Sequence, residues 1–147
     1  MFERIMIACD TRPESERALR EGVRLAEALK SELVLFGICT VDPAYIIAEA
    51  NAPTDLPARM IEEFRDDLEK EAVALREQGF VVQVHCTESD EADTIIAAAT
   101  ETRADLLVIA HRHKTALQKL VDPARDYSIL DHMRCHLLVI GDHGPVS

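Results

Sequence analysis

The stretch Asp105–Asp122, DLLVIAHRHKTALQKLVD, decides the fold and indicates where a binding site would lie. Its first part, Leu106–Ile109, is a short apolar run between polar residues, which is typical of a fully buried strand in a parallel sheet. The loop after it begins with residues whose side chains can contact a ligand: His111, Arg112, His113 and Lys114. Loops that leave the carboxyl ends of strands line the ligand crevice of open α/β sheets. We therefore expect this loop to lie at a binding site.

Similar apolar runs elsewhere in the chain predict four more strands. With Leu106–Ile109 as the fourth, they are Arg4–Cys9, Leu33–Cys39, the edge strand Phe80–His85, and His136–Ile140. Helices are predicted from Ser15, from Pro57 to Gln78 with Gly79 as the stop, and after a cap at Ser89 or Asp90. In the first helix the expected inward positions are Ala18, Leu19, Gly22, Val23, Leu25, Ala26 and Leu29. Strands that alternate with helices predict an α/β fold: an open, mostly parallel sheet with right-handed crossovers and helices on both faces.

The composition is that of one acidic globular domain covering residues 1–147. The net charge of −11 disfavours nucleic acid and anionic membrane as partners, because proteins bind both of these through basic surfaces. No apolar run approaches the roughly 20 residues of a membrane helix, and the N-terminus lacks the apolar region of a signal peptide, so a cytoplasmic location is expected. The four cysteines stand apart without a CxxC pair, which favours reduced structural thiols.

The chain contains IACD (Ile7–Asp10), SERAL (Ser15–Leu19), DLLVIA (Asp105–Ala110) and CHLLVI (Cys135–Ile140), and in these segments it resembles the universal stress protein family. Ile7–Asp10 with Ser15–Leu19 is similar to the family pattern V-A-V-D followed by S-x-x-A-L. The DLLVIA of the fourth strand is similar to the family's fourth strand, and Cys135–Ile140 is similar to C-P-V-L-V-V. The resemblance covers nearly the whole chain. It implies an adenine nucleotide alpha hydrolase-like fold with sheet order 3-2-1-4-5, and a homodimer formed by pairing of the fifth strands, His136–Ile140.

The family's nucleotide-binding branch carries the loop G-x-x-G-x9-G-[S/T], and this chain departs from it at every motif position. Those positions hold Ala110, His113, Pro123 and Ala124. Glycines allow positive φ and close backbone approach to a triphosphate, which a Cβ resists and proline forbids. Asp122 precedes Pro123 at a predicted helix start, where its carboxylate is expected to cap the helix. A negative charge would then lie where a phosphate has to bind.

The candidate ligand-binding residues are Asp10, His111, Arg112, His113 and Lys114. Asp10 stands at the position that contacts the adenine and ribose end in nucleotide-binding members; orienting a loop is its structural alternative. The other four residues form a basic island that could hold an anion by side-chain charge, or could simply be solvated. The two histidines could also join Asp10 or Cys39 around a transition metal, but zinc needs three or four ligands, so no metal is expected.

The sequence contains no motif of a serine hydrolase, a dinucleotide-binding or P-loop protein, or a zinc protease. We interpret the chain as a stress-response or regulatory protein that does not bind ATP through the glycine loop, with no catalytic chemistry and no cofactor. A protein partner is compatible with this role. The alternative is a sensor that binds ATP, another adenine nucleotide or another anion in a pocket at the strand carboxyl ends.

Overall fold

The computed structural model describes residues 2–10, 14–39, 56–88, 92–110 and 134–141. Within these ranges, strands and helices alternate as the apolar runs predicted. In chain order they are β1 (Arg4–Cys9), α1 (Glu14–Leu29), β2 (Glu32–Ile38), α2 (Leu56–Glu77), β3 (Val82–Thr87), α3 (Ala92–Glu101), β4 (Leu106–Ala110) and β5 (His136–Ile140). None of the described helices has the length and apolar character needed to cross a membrane.

The sheet has the order β3-β2-β1-β4-β5, and every pairing between the described strands is parallel. This confirms the predicted α/β fold and the order that the resemblance implied. β1 lies at the centre of the sheet, where Ile5, Met6 and Ile7 are each 0% exposed. The continuous apolar sequence of β1 therefore reflects burial on both of its faces.

The two faces of the sheet carry separate cores, so helices cover both faces as predicted. On one face, Ala18 of α1 and Leu68 of α2 share a core with Ile7 of β1. On the other face, Ile95 of α3 shares a core with Met6. α1 and α2 lead to the strands on one side of β1, namely β2 and β3, and both helices lie on the same face. α3 leads to β4 on the other side of β1 and lies on the opposite face. Because parallel crossovers keep one hand, this reversal leaves a crevice at the carboxyl ends of β1 and β4.

Each of the three described helices ends at a residue with left-handed backbone: Lys30 (φ 57°), Gly79 (φ 101°) and Arg103 (φ 58°). The N–H of the next residue then donates to a carbonyl in the last turn: Ser31 to Ala26 at 2.9 Å, Phe80 to Leu75 at 3.1 Å, and Ala104 to Ala99 at 3.0 Å. This arrangement satisfies carbonyls that would otherwise lack a partner at the helix end. The predicted stop at Gly79 is confirmed. Lys30 and Arg103 have the same role at the ends of the other two described helices, and the sequence did not predict this.

The third strand and one inward position differ from the prediction. β3 begins at Val82 rather than Phe80, because the Phe80 N–H completes the end of α2 and its ring packs against the adjacent core. Leu29 was expected to face inward but is 42% exposed, since α1 ends at this residue. The predicted caps of the third helix, Ser89 and Asp90, lie outside the described residues.

Polar side chains tie together the amino ends of the central strands. Arg4 of β1 donates to the Glu32 carboxylate of β2 from Nε at 2.9 Å and from Nη2 at 2.6 Å. Its Nη1 donates to the carbonyl of Thr102 at 2.6 Å, at the end of α3. Asp105 accepts the backbone N–H groups of Glu3 and Arg4 at 2.8 and 3.1 Å. These bonds fix the start of β1 between β2 and β4.

Candidate functional site

Asp10 and Ala110 lie at the crevice that the topology creates. β1 ends at Cys9 and Asp10 follows it directly, while β4 ends at Ala110. The two strands are parallel neighbours, so the segments that leave them start at the same edge of the sheet. Ligands of open α/β proteins bind at this position.

Asp10 is bonded to Ser15 in the first turn of α1. The Asp10 N–H donates to Ser15 Oγ at 2.8 Å, and the Ser15 hydroxyl donates to Asp10 Oδ1 at 2.6 Å. Ser15 is 7% exposed and Asp10 is half-buried. The reciprocal pair connects the end of β1 to α1, near the helix N-terminus that favours a carboxylate. Asp10 therefore has a structural role in addition to any contact with a ligand.

A cleft of about 660 Å³ opens beside Asp10, between α1 and α2. Its floor consists of buried and half-buried apolar residues: Cys9, Leu19, Met60, Phe64 and Leu68. Its rim consists of acidic residues: Asp10, Glu16, Glu63, Asp67 and Glu71. Lys70 is the one basic residue among the described residues that line it. We call this feature the acidic cleft; its volume falls in the range of about 300–1,000 Å³ that small-molecule sites occupy.

The acidic cleft exists because the two helices on this face cover different strands. α1 packs mainly on β1 and β4, whereas α2 packs on β3 and β2. Gly37 of β2 lets α2 approach the sheet closely: a Cβ at this position would lie 2.8 Å from Leu68 Cδ2 and 2.9 Å from Phe64 Cε1. Gly37 pairs with Cys9 across the sheet, so the uncovered space lies over the end of β1.

The electrostatics of the acidic cleft disfavour a polyphosphate. Five carboxyl groups face one ammonium group among the described lining residues, in a chain with a net charge of −11. A site lined by one sign of charge raises the local concentration of opposite ions and repels like ones. The described walls are therefore better suited to neutral or cationic groups than to a triphosphate.

The thiols near the crevice are held in their protonated form. Burial raises the pKa of the Cys9 thiol to about 12, and burial also raises the pKa of Cys39. A protonated thiol is a poor nucleophile and a poor metal ligand. Within the described ranges, no group of His, Cys, Asp and Glu is arranged to hold a metal ion. The histidines of the metal alternative, His111 and His113, are outside those ranges.

The structure describes one of the five predicted ligand-binding residues, Asp10. The others lie outside the described residues, together with the remaining motif positions: His111, Arg112, His113, Lys114, Pro123 and Ala124. Ala110, the first motif position, is 5% exposed and belongs to the core under α1. A methyl group therefore packs inside the protein where the nucleotide-binding branch has a glycine.

Sequence reasoning missed the acidic rim that α2 contributes. Glu62, Glu63, Asp66 and Asp67 fit the solvated face of an amphipathic helix, and all of them are exposed. Glu63 and Asp67 nevertheless also border the gap beside α1. The available signal was the spacing of Glu63, Asp67 and Glu71 at four-residue steps, which aligns them on one side of a helix. The position of the neighbouring helix, which turns that side into a wall, could not be inferred from sequence.

The fold defines a doubly wound parallel α/β protein with a crevice at the strand carboxyl ends. The model of the universal stress protein family matches residues 1–141 of the chain. The chain belongs to the universal stress protein family.

Individual relatives agree with this assignment. A universal stress protein of Methanocaldococcus jannaschii is 22% identical over 141 residues, which are 95% of this chain and 82% of that protein. A crystal structure of a family member from Burkholderia pseudomallei is 22% identical with a TM-score of 0.62, covering 95% of this chain and 96% of the other. A crystal structure of a universal stress protein in complex with cAMP is 16% identical with a TM-score of 0.60, covering 95% and 97%. At these identities the two crystal structures show a shared fold.

Proposed function

We propose that this universal stress protein acts as a stress-response or regulatory protein without catalytic chemistry, and that it does not bind ATP through a glycine loop. The observation that carries the proposal is the acidic cleft beside Asp10, whose described rim has five carboxyl groups and one lysine. A nucleotide with its base and ribose at the end of β1 would lie beside this rim, and the negative potential of the rim would repel its phosphates. The like charges would oppose binding at the position where family members with the glycine loop hold a nucleotide.

Two further features support the proposal. Ala110 fills the first motif position with a buried methyl group, and the sequence puts His113, Pro123 and Ala124 at the other three. Backbone with these side chains cannot approach a phosphate as glycine backbone does. The raised pKa of Cys9 keeps the thiol nearest the crevice protonated, so it offers no nucleophile at neutral pH.

Calorimetric titration of the purified protein with ATP, with and without Mg²⁺, tests the proposal. We expect no binding at millimolar ATP. A variant carrying Glu63→Gln and Asp67→Asn removes two of the rim charges; we expect it to bind ATP more tightly than the unmodified protein but no better than millimolar, because the glycine loop is still missing. Sub-millimolar affinity of the unmodified protein for ATP would overturn the proposal.

A second candidate function is a sensor for a nucleotide or another anion at the strand carboxyl ends. The specific support is the fold shared with a universal stress protein that holds cAMP, together with a cleft large enough for a small molecule. In this function Asp10 would contact the base and ribose, and the basic island His111–Lys114 would hold the phosphate. The acidic rim would then favour ligands with a single phosphate group over ATP.

Mass spectrometry of whatever small molecule copurifies, followed by titration with cAMP, separates the two functions. The sensor requires binding that is weakened in Arg112→Ala and unchanged in Arg24→Ala, since Arg24 lies on the exposed side of α1. Equal binding by both variants would show that Arg112 is not part of the site. If no nucleotide copurifies and cAMP does not bind, the sensor function is excluded and the first proposed function stands.

The setting proposed for either function is the cytoplasm, with the chain as a homodimer paired through β5. The acidic surface supports the absence of nucleic acid and membrane partners, because both carry negative charge. The position of β5 at the edge of the sheet that the described strands form supports the homodimer, because edge backbone favours association with another strand.

A further inference from the structure

A second cavity lies at the opposite end of the sheet, between the end of α3 and the starts of β4 and β5. It has a volume of about 420 Å³, and its lining includes Arg103 and Arg134. We call it the amino-end cavity. It is separate from the acidic cleft, because the cleft borders the carboxyl end of β1 on the other face.

The floor of the amino-end cavity is apolar. Ala99 and Ala104 are 5% and 8% exposed, and Ile96 beside them is half-buried. All three belong to, or pack against, the core beneath α3. The floor can therefore exclude water from an apolar group that rests on it.

Among the described residues, no hydrogen bond or ion pair engages the guanidinium groups of the two arginines in the amino-end cavity. Asp105 also lines the cavity, but both of its carboxylate oxygens accept backbone N–H groups, from Glu3 at 2.8 Å and from Arg4 at 3.1 Å. Two positive charges thus stand beside one carboxylate that is already engaged, in a chain with a net charge of −11.

The backbone that carries both arginines is ordered by hydrogen bonds. Arg103 occupies the left-handed position that ends α3, and its N–H donates to the Thr100 carbonyl at 3.1 Å. Arg134 lies two residues before His136, whose N–H donates to the Asp105 carbonyl at 2.9 Å. The backbone of Arg103 is therefore held at the end of a helix, and Arg134 lies just before a strand whose first residue is hydrogen-bonded to the β4 side.

We propose that the amino-end cavity binds a small organic anion, with a phosphate or carboxylate group held by Arg103 and Arg134 and an apolar group on the alanine floor. Guanidinium groups bind these anions through paired, charge-assisted hydrogen bonds. The cavity volume lies in the range of about 300–1,000 Å³ that such ligands need. This site is independent of the proposed function, since it uses neither the acidic cleft nor the glycine-loop positions.

Phenyl phosphate is a suitable probe, because it joins a phosphate to a compact apolar ring. We expect titration of ¹⁵N-labelled protein to shift the amide signals of Ala99, Thr100 and Ala104 and to leave those of Asp10 and Ser15 unmoved. Inorganic phosphate carries only the anionic group and benzyl alcohol only the apolar ring. Each is expected to bind at least about tenfold more weakly than phenyl phosphate.

Variants of the two arginines test whether their guanidinium groups bind the phosphate of the probe. Arg103→Gln and Arg134→Gln are each expected to weaken phenyl phosphate binding about tenfold. Arg24→Gln is the matched control, since this exposed arginine lies on α1 at the other face, and it should bind as the unmodified protein does. All of these residues are exposed, so thermal unfolding should confirm that the variants fold.

Three results would overturn the proposal. The first is absence of shifts with millimolar phenyl phosphate, and the second is shifts confined to residues at the carboxyl ends of the strands. The third is equal weakening by Arg24→Gln and the cavity variants, which would indicate attraction by general charge. Failure of this test leaves the proposed function untouched, because that function is tested by ATP and cAMP at the other end of the sheet.

Discussion

Cys9 and Asp10 are adjacent in the sequence but occupy different surroundings. Cys9 is the last residue of a buried strand and is 4% exposed, so its thiol behaves as a small apolar group. Asp10 is half-buried at the mouth of the crevice and shares two hydrogen bonds with Ser15. The strand ends between these two residues, and the change from core to site takes place within a single peptide unit.

The thiol of Cys9 should make stability fall as the pH rises. Burial raises its pKa from the ordinary value of 9.0 to about 12, so above about pH 9 the unfolded chain loses this proton while the folded protein keeps it. The contribution of Cys9 to the free energy of unfolding is complete below the pKa that its thiol has in the unfolded chain. It is lost as the pH rises towards the pKa of the thiol in the folded protein. Between about pH 9 and pH 10.5 we expect a loss of about 2 kcal/mol from this group, measured by urea unfolding.

Cys9→Ala provides the control for this prediction. The variant starts less stable at about pH 8, because it leaves a small cavity, but its stability should fall less steeply with pH. Parallel pH profiles for the two proteins would show that Cys9 does not titrate as its burial requires.

Ser15→Ala should destabilise the protein by about 1 kcal/mol. The change removes the acceptor for the Asp10 N–H and the donor to the Asp10 carboxylate in one step. Thr100→Ala is the matched control, because the Thr100 hydroxyl donates within its own helix, to Ile96 at 3.0 Å, on an exposed surface. Urea unfolding should give a change of about 0.5 kcal/mol or less for this control. Equal effects of the two substitutions would contradict the structural role assigned to the Asp10–Ser15 pair.

At the scale of elements, the strands could be predicted well because burial on both faces gives continuous apolar runs. β1 and β4 were recognisable for this reason, and the amphipathic stripe identified α2. Helix ends were predictable where glycine supplies left-handed backbone, as at Gly79, but not at Lys30 and Arg103, whose side chains give no such signal. The start of β3 was misplaced because the cap of α2 uses Phe80, an apolar residue that is equally suited to a strand.

Gly37→Ala should destabilise the contact between α2 and the sheet. The new Cβ would lie 2.8 Å from Leu68 Cδ2, 2.9 Å from Phe64 Cε1 and 3.2 Å from Cys86 Sγ, and α2 would have to move away from β2. Overpacking of this kind costs about 1 to 3 kcal/mol. Gly141→Ala is the control, because no atom of the described residues lies within 4 Å of a Cβ built there, and it should change stability by about 0.5 kcal/mol or less. Comparable unfolding midpoints for both variants would mean that α2 does not depend on close approach at Gly37.

At the scale of the whole molecule, the described residues place an acidic cleft and an arginine pair at opposite ends of the sheet. The carboxyl end carries the acidic cleft, and the amino end carries Arg103 and Arg134. The sum of −11 predicted an acidic surface but could not show this arrangement, because the residues of each patch come from distant parts of the chain. Asp10 could be placed at the site from sequence because it follows a recognisable strand. The acidic rim and the arginine pair could not, since each depends on how helices pack beside strands.

The homodimer expected through β5 can be tested with the hydrogen-bond pattern of that strand. β5 is the edge of the sheet, and Leu138 on it is 36% exposed. The His136 N–H donates to Asp105 of the β4 side at 2.9 Å, and successive residues of a strand direct their N–H groups to opposite sides. The N–H of Val139 therefore points to the open edge, where a second copy would pair with it.

Val139→Pro should convert the dimer to a monomer without breaking the β4–β5 pairing, because proline removes an outward N–H and is tolerated at a sheet edge. Val139→Ala keeps that N–H and loses only side-chain volume, so it should remain dimeric. Light scattering at micromolar concentration distinguishes the two states, and thermal unfolding checks that the proline variant is folded. A dimer that survives Val139→Pro would place the interface elsewhere on the protein, and an unmodified protein that is monomeric would exclude pairing through β5. If the proline variant is monomeric and the alanine variant dimeric, the interface depends on backbone hydrogen bonding along the edge rather than on the apolar side chains of β5.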